Sequence, residues 1–88
     1  MKAYRGVFRK KDGALREMYF ARLEDISAIN PDYLGDRLTG SGSNNVYPAG
    51  MELVWDLEAD DGEGDFRIFN HKTKLDLHTF EVEDELFA

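Results

Sequence analysis

Carboxylates crowd one short stretch of this chain. Asp56, Glu58, Asp60, Asp61, Glu63 and Asp65 all fall within residues 56–65. Dense carboxylates suit a hard cation such as calcium, which takes oxygen ligands in a loop of fixed spacing. The EF-hand register fails here: counting from Asp56, the glycine position holds Asp61 and the final bidentate position holds Arg67. Three readings of the stretch remain: a looser divalent-ion site, a solvated hairpin tip, or a patch that engages a basic protein surface. A second acidic cluster, Glu83, Asp84 and Glu85, lies in the C-terminal segment EVEDELFA. Together with Asp76 and Glu81, the two clusters could imitate a track of phosphates and occupy cationic groups that otherwise hold nucleic acid.

Catalytic constellations are sparse. There is no cysteine, and the two histidines, His71 and His78, fit neither a nucleophile–base arrangement nor a zinc spacing. No catalytic residue, metal site or cofactor is assigned, and the expectation is a binding protein, not an enzyme.

Positive charge gathers at the other end of the chain. Residues 1–22 carry seven bases against two acids, whereas residues 23–88 carry four bases against sixteen acids. Arg9, Lys10, Lys11 and Arg16 form the alternative candidate site, for nucleic acid. A small barrel can bind a single strand with a basic face and stacking aromatics, here Tyr4, Phe8, Tyr19, Phe20 and Trp55. Most of those rings are needed for a core, and cross-strand pairing with Glu17, Glu52 or Asp56 would consume the positive charge.

The elements that must position these groups read as strands. Residues 2–10 alternate, with Tyr4, Gly6 and Phe8 on one face. Asp12-Gly13 supplies the tight turn of a hairpin, and residues 14–22 return. Leu23, Ile26 and Ile29 recur at helical spacing and predict a short helix, stopped at Asn30-Pro31. A further short turn follows, with Asn30 as cap and Gly35 as terminator. Residues 35–50, rich in Gly, Ser and Asn, predict a long loop, either a mobile connector or a binding loop, with a short strand at 37–39. Residues 51–57 alternate as a half-buried strand, with Met51, Leu53, Trp55 and Leu57 on its apolar face. Residues 66–70 pair with it across the acidic turn. A last strand starts at Leu75 and Leu77. Phe80 and Val82 fall out of phase with it, which predicts a bulge near His78-Thr79. Residues 81–88 form an acidic tail, either a strand end or a peptide that docks on a partner.

The expected fold is all-β: one domain over residues 1–88, a partly open five-stranded SH3/Sm-like barrel of two hairpins plus a C-terminal strand, with a minor helical insert. A chain of 88 residues buries roughly 60–65% of its unfolded surface, so the core is modest. The start has no apolar run of signal-peptide length, and no stretch reaches the ~20 apolar residues of a membrane span. A soluble cytoplasmic protein is expected.

Two segments resemble a known family. Lys10, Lys11, Asp12, Gly13, Arg16 and Met18 match a KKDG-x-x-R-x-M hairpin, and Trp55, Asp56, Leu57, Phe66, Arg67 and Phe69 match a WDL…FR-x-F hairpin. In that order they resemble small Sm-like/SH3-like barrels, common in bacteriophages, that are related to the WYL domain. The resemblance implies a barrel fold and a phage origin, hence the cytoplasm of an infected bacterial host. It implies no activity.

Three functions follow as expectations. The first is an accessory protein that binds a host protein with a basic surface, through Asp60, Asp61, Glu63, Asp65, Glu83, Asp84 and Glu85. Its target would be a nucleic-acid enzyme, a defence nuclease or the transcription machinery, which it inhibits or redirects. The second is a nucleic-acid-binding regulator using the basic hairpin. The third is an assembly protein whose edge strands pair in an oligomer.

Overall fold

The computed structural model describes residues 1–35 and 49–88. Most of the loop expected at 35–50, including the strand at 37–39, lies outside the described residues. The elements are β1 (Lys2–Arg9), β2 (Leu15–Arg22), α1 (Leu23–Ile29), β3 (Met51–Asp56), β4 (Asp65–Asn70), β5 (Lys74–Glu81) and a final 3-10 turn (Asp84–Phe87).

The fold is mostly β, a five-stranded antiparallel sheet in the order β4-β3-β2-β1-β5. Its edges, β4 and β5, do not pair, so the sheet is open. It is nevertheless curled. Phe69 of β4 lies over Gly6 of β1, three strands away in the sheet order, and a Cβ at Gly6 would overlap the Phe69 ring. Glycine inside a strand here permits the close approach that rolls the sheet toward a barrel.

The two hairpins form where their turn residues place them. Gly13 takes φ +90°, Lys10 N–H donates to the Ala14 carbonyl at 2.7 Å, and the Asp12 carboxylate accepts the Ala14 N–H at 2.9 Å. Helix α1 spans the predicted residues, and the Asn30 N–H closes it on the Ile26 carbonyl at 2.9 Å. The Asn30 side chain then accepts the Asp32 N–H at 3.1 Å, starting the next turn. The Gly35 N–H donates to the Asp32 carbonyl at 3.3 Å, and its φ is not positive.

Two apolar layers share the central strands. The inner layer is Phe8, Met18, Phe20, Val54 and Phe69, with Tyr4 and Leu77 against it. Its rings meet in series: Tyr4 stacks on Phe20 at 5.3 Å, Phe20 lies tilted on Phe69 at 4.8 Å, and Phe69 meets Phe8 edge to face at 5.0 Å. The outer layer is Ala21, Ile26, Leu34, Trp55 and Phe87, and it lies between the sheet, α1 and the C-terminal turn.

Two expectations for the strands need correction. The end of β3 is not half-buried: Val54 enters the inner layer and Trp55 the outer one, so both faces are covered. A strand between two layers loses the alternation that marks a one-sided strand. The bulge of β5 lies at Leu75, not at His78-Thr79. Val7 pairs with Asp76 and Phe8 with Lys74, leaving Leu75 unpaired, whereas His78 and Thr79 stay in register with Arg5 and Tyr4. Leu77 and Phe80 are out of phase because Leu77 packs inward while Phe80 meets Tyr19 at 6.1 Å on the outer face.

Candidate functional site

The acidic turn between β3 and β4 is a built loop. Gly64 N–H and Gly62 N–H both donate to the Ala59 carbonyl, at 2.8 and 3.2 Å. Asp60 and Asp61 take left-handed backbone angles, φ 55° and 56°, a conformation that aspartate tolerates better than most residues. Gly64, at φ +94°, rests on the Trp55 indole so closely that a Cβ there would overlap it. The turn is thereby pinned to the outer layer, with the side chains of Asp60, Asp61 and Glu63 exposed.

The flanking carboxylates serve the fold. Asp56 is buried; it accepts the Glu58 N–H at 2.9 Å and lies 3.4 Å from Arg16. Asp65 belongs to β4, where it accepts the Phe66 N–H and pairs with Arg67 at 3.0 Å. The candidate set from the turn therefore splits into exposed Asp60, Asp61 and Glu63 and an engaged Asp65.

The tail begins as the end of β5, where Glu81 pairs with Lys2 and the Val82 N–H donates to the Met1 carbonyl at 2.9 Å, and then turns. Asp84–Phe87 makes one 3-10 turn that drives Phe87 into the outer layer, at 2% exposure, with its ring 5.1 Å from Tyr33. The Met1 ammonium donates to Asp84 at 2.7 Å and to the Val82 carbonyl at 2.9 Å. Asp84, and less strongly Glu81, hold this ammonium above its ordinary pKa against the desolvation that opposes them. Glu83 and Glu85 remain exposed.

Turn and tail meet. Gly62 and Glu63 from the one, and Leu86 and Phe87 from the other, wall a depression of about 160 Å³ completed by Tyr33, Trp55 and Leu57. Leu86 stands at its lip, 58% exposed. Two segments some twenty positions apart in sequence, each carrying exposed carboxylates, thus wall one apolar dimple, which Glu63 lines directly. Sequence reasoning singled out the acids but missed Tyr33, Leu57 and Leu86. The only signal for Leu86 was an apolar pair, Leu86-Phe87, inside an acidic run.

The basic candidates separate. Arg16 is drawn to Asp56. Arg9 donates to the Gly13 carbonyl at 2.8 Å, and Lys10 and Lys11 are exposed at the tip of the first hairpin. Arg5 and Arg22 are held by Glu17 and Glu52, with Nε donating at 3.0 and 2.8 Å, and these hydrogen bonds raise both guanidinium pKa values. Beside Arg9, Lys10 and Lys11 runs a cavity of about 610 Å³ whose apolar walls are Phe8, Met51 and Ile68. Of the candidate stacking rings only Phe8 reaches this cavity, and it is 7% exposed; Phe20 and Trp55 are buried, Tyr4 stacks on Phe20, and Tyr19 meets Phe80.

A third cluster was not anticipated. Glu52 sits between Arg22 and His71, with 2.8 Å to each, at the mouth of the inner layer beside Tyr4 and Leu77. Both carboxylate oxygens are thereby satisfied. His78 contacts Asp76 instead, so the two histidines do not share a partner. Among the described residues no three His, Asp or Glu side chains converge as a metal cluster, and no helix is long and apolar enough to cross a membrane. The chain matches no protein-family model and no curated protein, and its fold matches no solved structure.

Proposed function

We propose that this protein acts by binding and not by catalysis, docking its acidic face on a basic surface of another protein. The observation that carries this reading is the convergence of Glu63 and Leu86 on one dimple, with Asp60, Asp61, Glu83 and Glu85 exposed on the same two segments. An apolar centre with a charged rim is the anatomy of a protein interface. Carboxylates around it select basic partners and speed encounter. The resemblance to small phage barrels makes that partner a host protein. A cationic nucleic-acid channel is the surface such a face would fit, so the target class is a nucleic-acid enzyme, a defence nuclease or a transcription component, inhibited or redirected in the host cytoplasm.

The nucleic-acid reading keeps Lys10 and Lys11 but has less support, since Arg16 is committed to Asp56 and no candidate stacking ring is fully exposed. The deciding experiment is a pull-down of tagged protein from bacterial lysate, with and without nuclease, alongside the variant D60K/D61K/E63K. A host protein that survives nuclease and is lost with the variant supports the acidic face. Recovery of nucleic acid, unaffected by that variant, would transfer the function to the basic hairpin.

A further inference from the structure

We infer that the groove beside the basic hairpin receives the acidic C-terminal turn of a second copy of this chain, so that the protein associates head to tail. The groove, about 610 Å³, is apolar at Phe8, Met51 and Ile68 and is rimmed by Arg9, Lys10 and Lys11. A cavity of this size accommodates several side chains. The C-terminal turn has the inverse pattern: Leu86 projects, 58% exposed, and Glu83 and Glu85 flank it. An apolar knob beside carboxylates matches an apolar groove beside cations, and charge complementarity of this kind fixes register as well as partner.

Other occupants fit less well. A basic peptide would meet Arg9, Lys10 and Lys11. A single-stranded nucleic acid would find no fully exposed ring to stack on among the candidate aromatics. The net charge of −7 opposes the approach of two copies. That long-range term is screened beyond about 8 Å at physiological ionic strength, while contacts inside the groove are not. Groove and knob are different patches, so the contact is heterologous and propagates into a ring or an open chain. The inference shares the C-terminal turn with the function proposed above but does not depend on it. A monomeric protein that still captures a basic partner would remove only the self-association.

The test is molar mass by light scattering across a concentration series, for the unmodified protein and two variants, K10A/K11A and E83A/L86A. All four positions are exposed, so circular dichroism and melting should confirm that both variants fold. The expected result is a mass that rises with concentration for the unmodified protein and stays monomeric for each variant alone. An equimolar mixture of the variants restores one intact groove and one intact knob, and should stop at a one-to-one dimer. A monomer at every concentration would overturn the inference. So would association that persists in either variant, which would point to pairing of the β4 or β5 edges, and so would a mixture that fails to form the dimer.

Discussion

The acidic face and the basic hairpin differ in how they are held. The acidic turn lies on the Trp55 indole through Gly64, and the acidic tail is anchored by Phe87 in the same layer. The basic tip is held by its own turn, through Lys10 to Ala14 and Gly13 to Lys10, and by Thr73, whose hydroxyl donates to the Arg9 carbonyl at 2.7 Å. One charged region is thus an extension of the core and the other an extension of a hairpin. A patch fixed by the core loses little freedom on binding, which leaves more of its contact energy as affinity. The comparison also separates sign from role: Asp60, Asp61, Glu63, Glu83 and Glu85 face solvent, whereas Arg5, Arg16 and Arg22 are already engaged within the chain.

That contrast can be broken at its anchors. Phe87→Ala should have the largest effect, about 3–5 kcal/mol of stability from the cavity it leaves. For a domain of this size that is a large part of the folding free energy, so urea unfolding should show a much lower midpoint and partner binding should weaken with it. Gly64→Ala comes next, at about 1–3 kcal/mol, because the added methyl overlaps the indole and the backbone is left-handed. A thermal melt reads it. Arg16→Ala should cost about 1–3 kcal/mol, since it strips the charged partner from the buried Asp56 carboxylate while leaving the acidic face and the Lys10-Lys11 tip in place. Equal losses from Arg16→Ala and Arg16→Lys would show that charge alone does not account for the pair. The smallest stability effects belong to the charge reversals. D60K/D61K/E63K should cost about 1 kcal/mol, because Asp60 and Asp61 hold left-handed backbone angles that lysine tolerates less well, and K10E/K11E should change stability by no more than about 0.5 kcal/mol. Only the first should abolish capture of a basic partner in the pull-down. Equal loss of capture from both would erase the distinction between the two regions.

The sequence made local structure legible where one or two residues dictate a backbone state. Asp12-Gly13 marked the first turn, and Leu23, Ile26 and Ile29 with Asn30-Pro31 bounded α1. The five strands followed from runs between such punctuation. What could not be read locally was layer assignment. Val54 and Trp55 look like the two sides of a one-sided strand until α1, Leu34 and Phe87 arrive to cover the second side. Leu77 and Phe80 misled for the same reason: burial on opposite faces imitates a bulge. The candidate acids were visible as composition, but the meeting of the two segments that carry them depends on Phe87 joining Tyr33 and Trp55 in one layer, over a long sequence separation with no spacing to announce it.

The indole of Trp55 is the single tryptophan of the chain. It lies 2% exposed between Phe66 and Tyr33, and it forms part of the floor between turn and tail. The molecule therefore carries its own optical reporter at the candidate interface. A partner seated on the acidic face should change the emission wavelength or the quenching of that one fluorophore, with no label attached. A ligand confined to the groove beside Lys10 and Lys11 should leave the spectrum as it was.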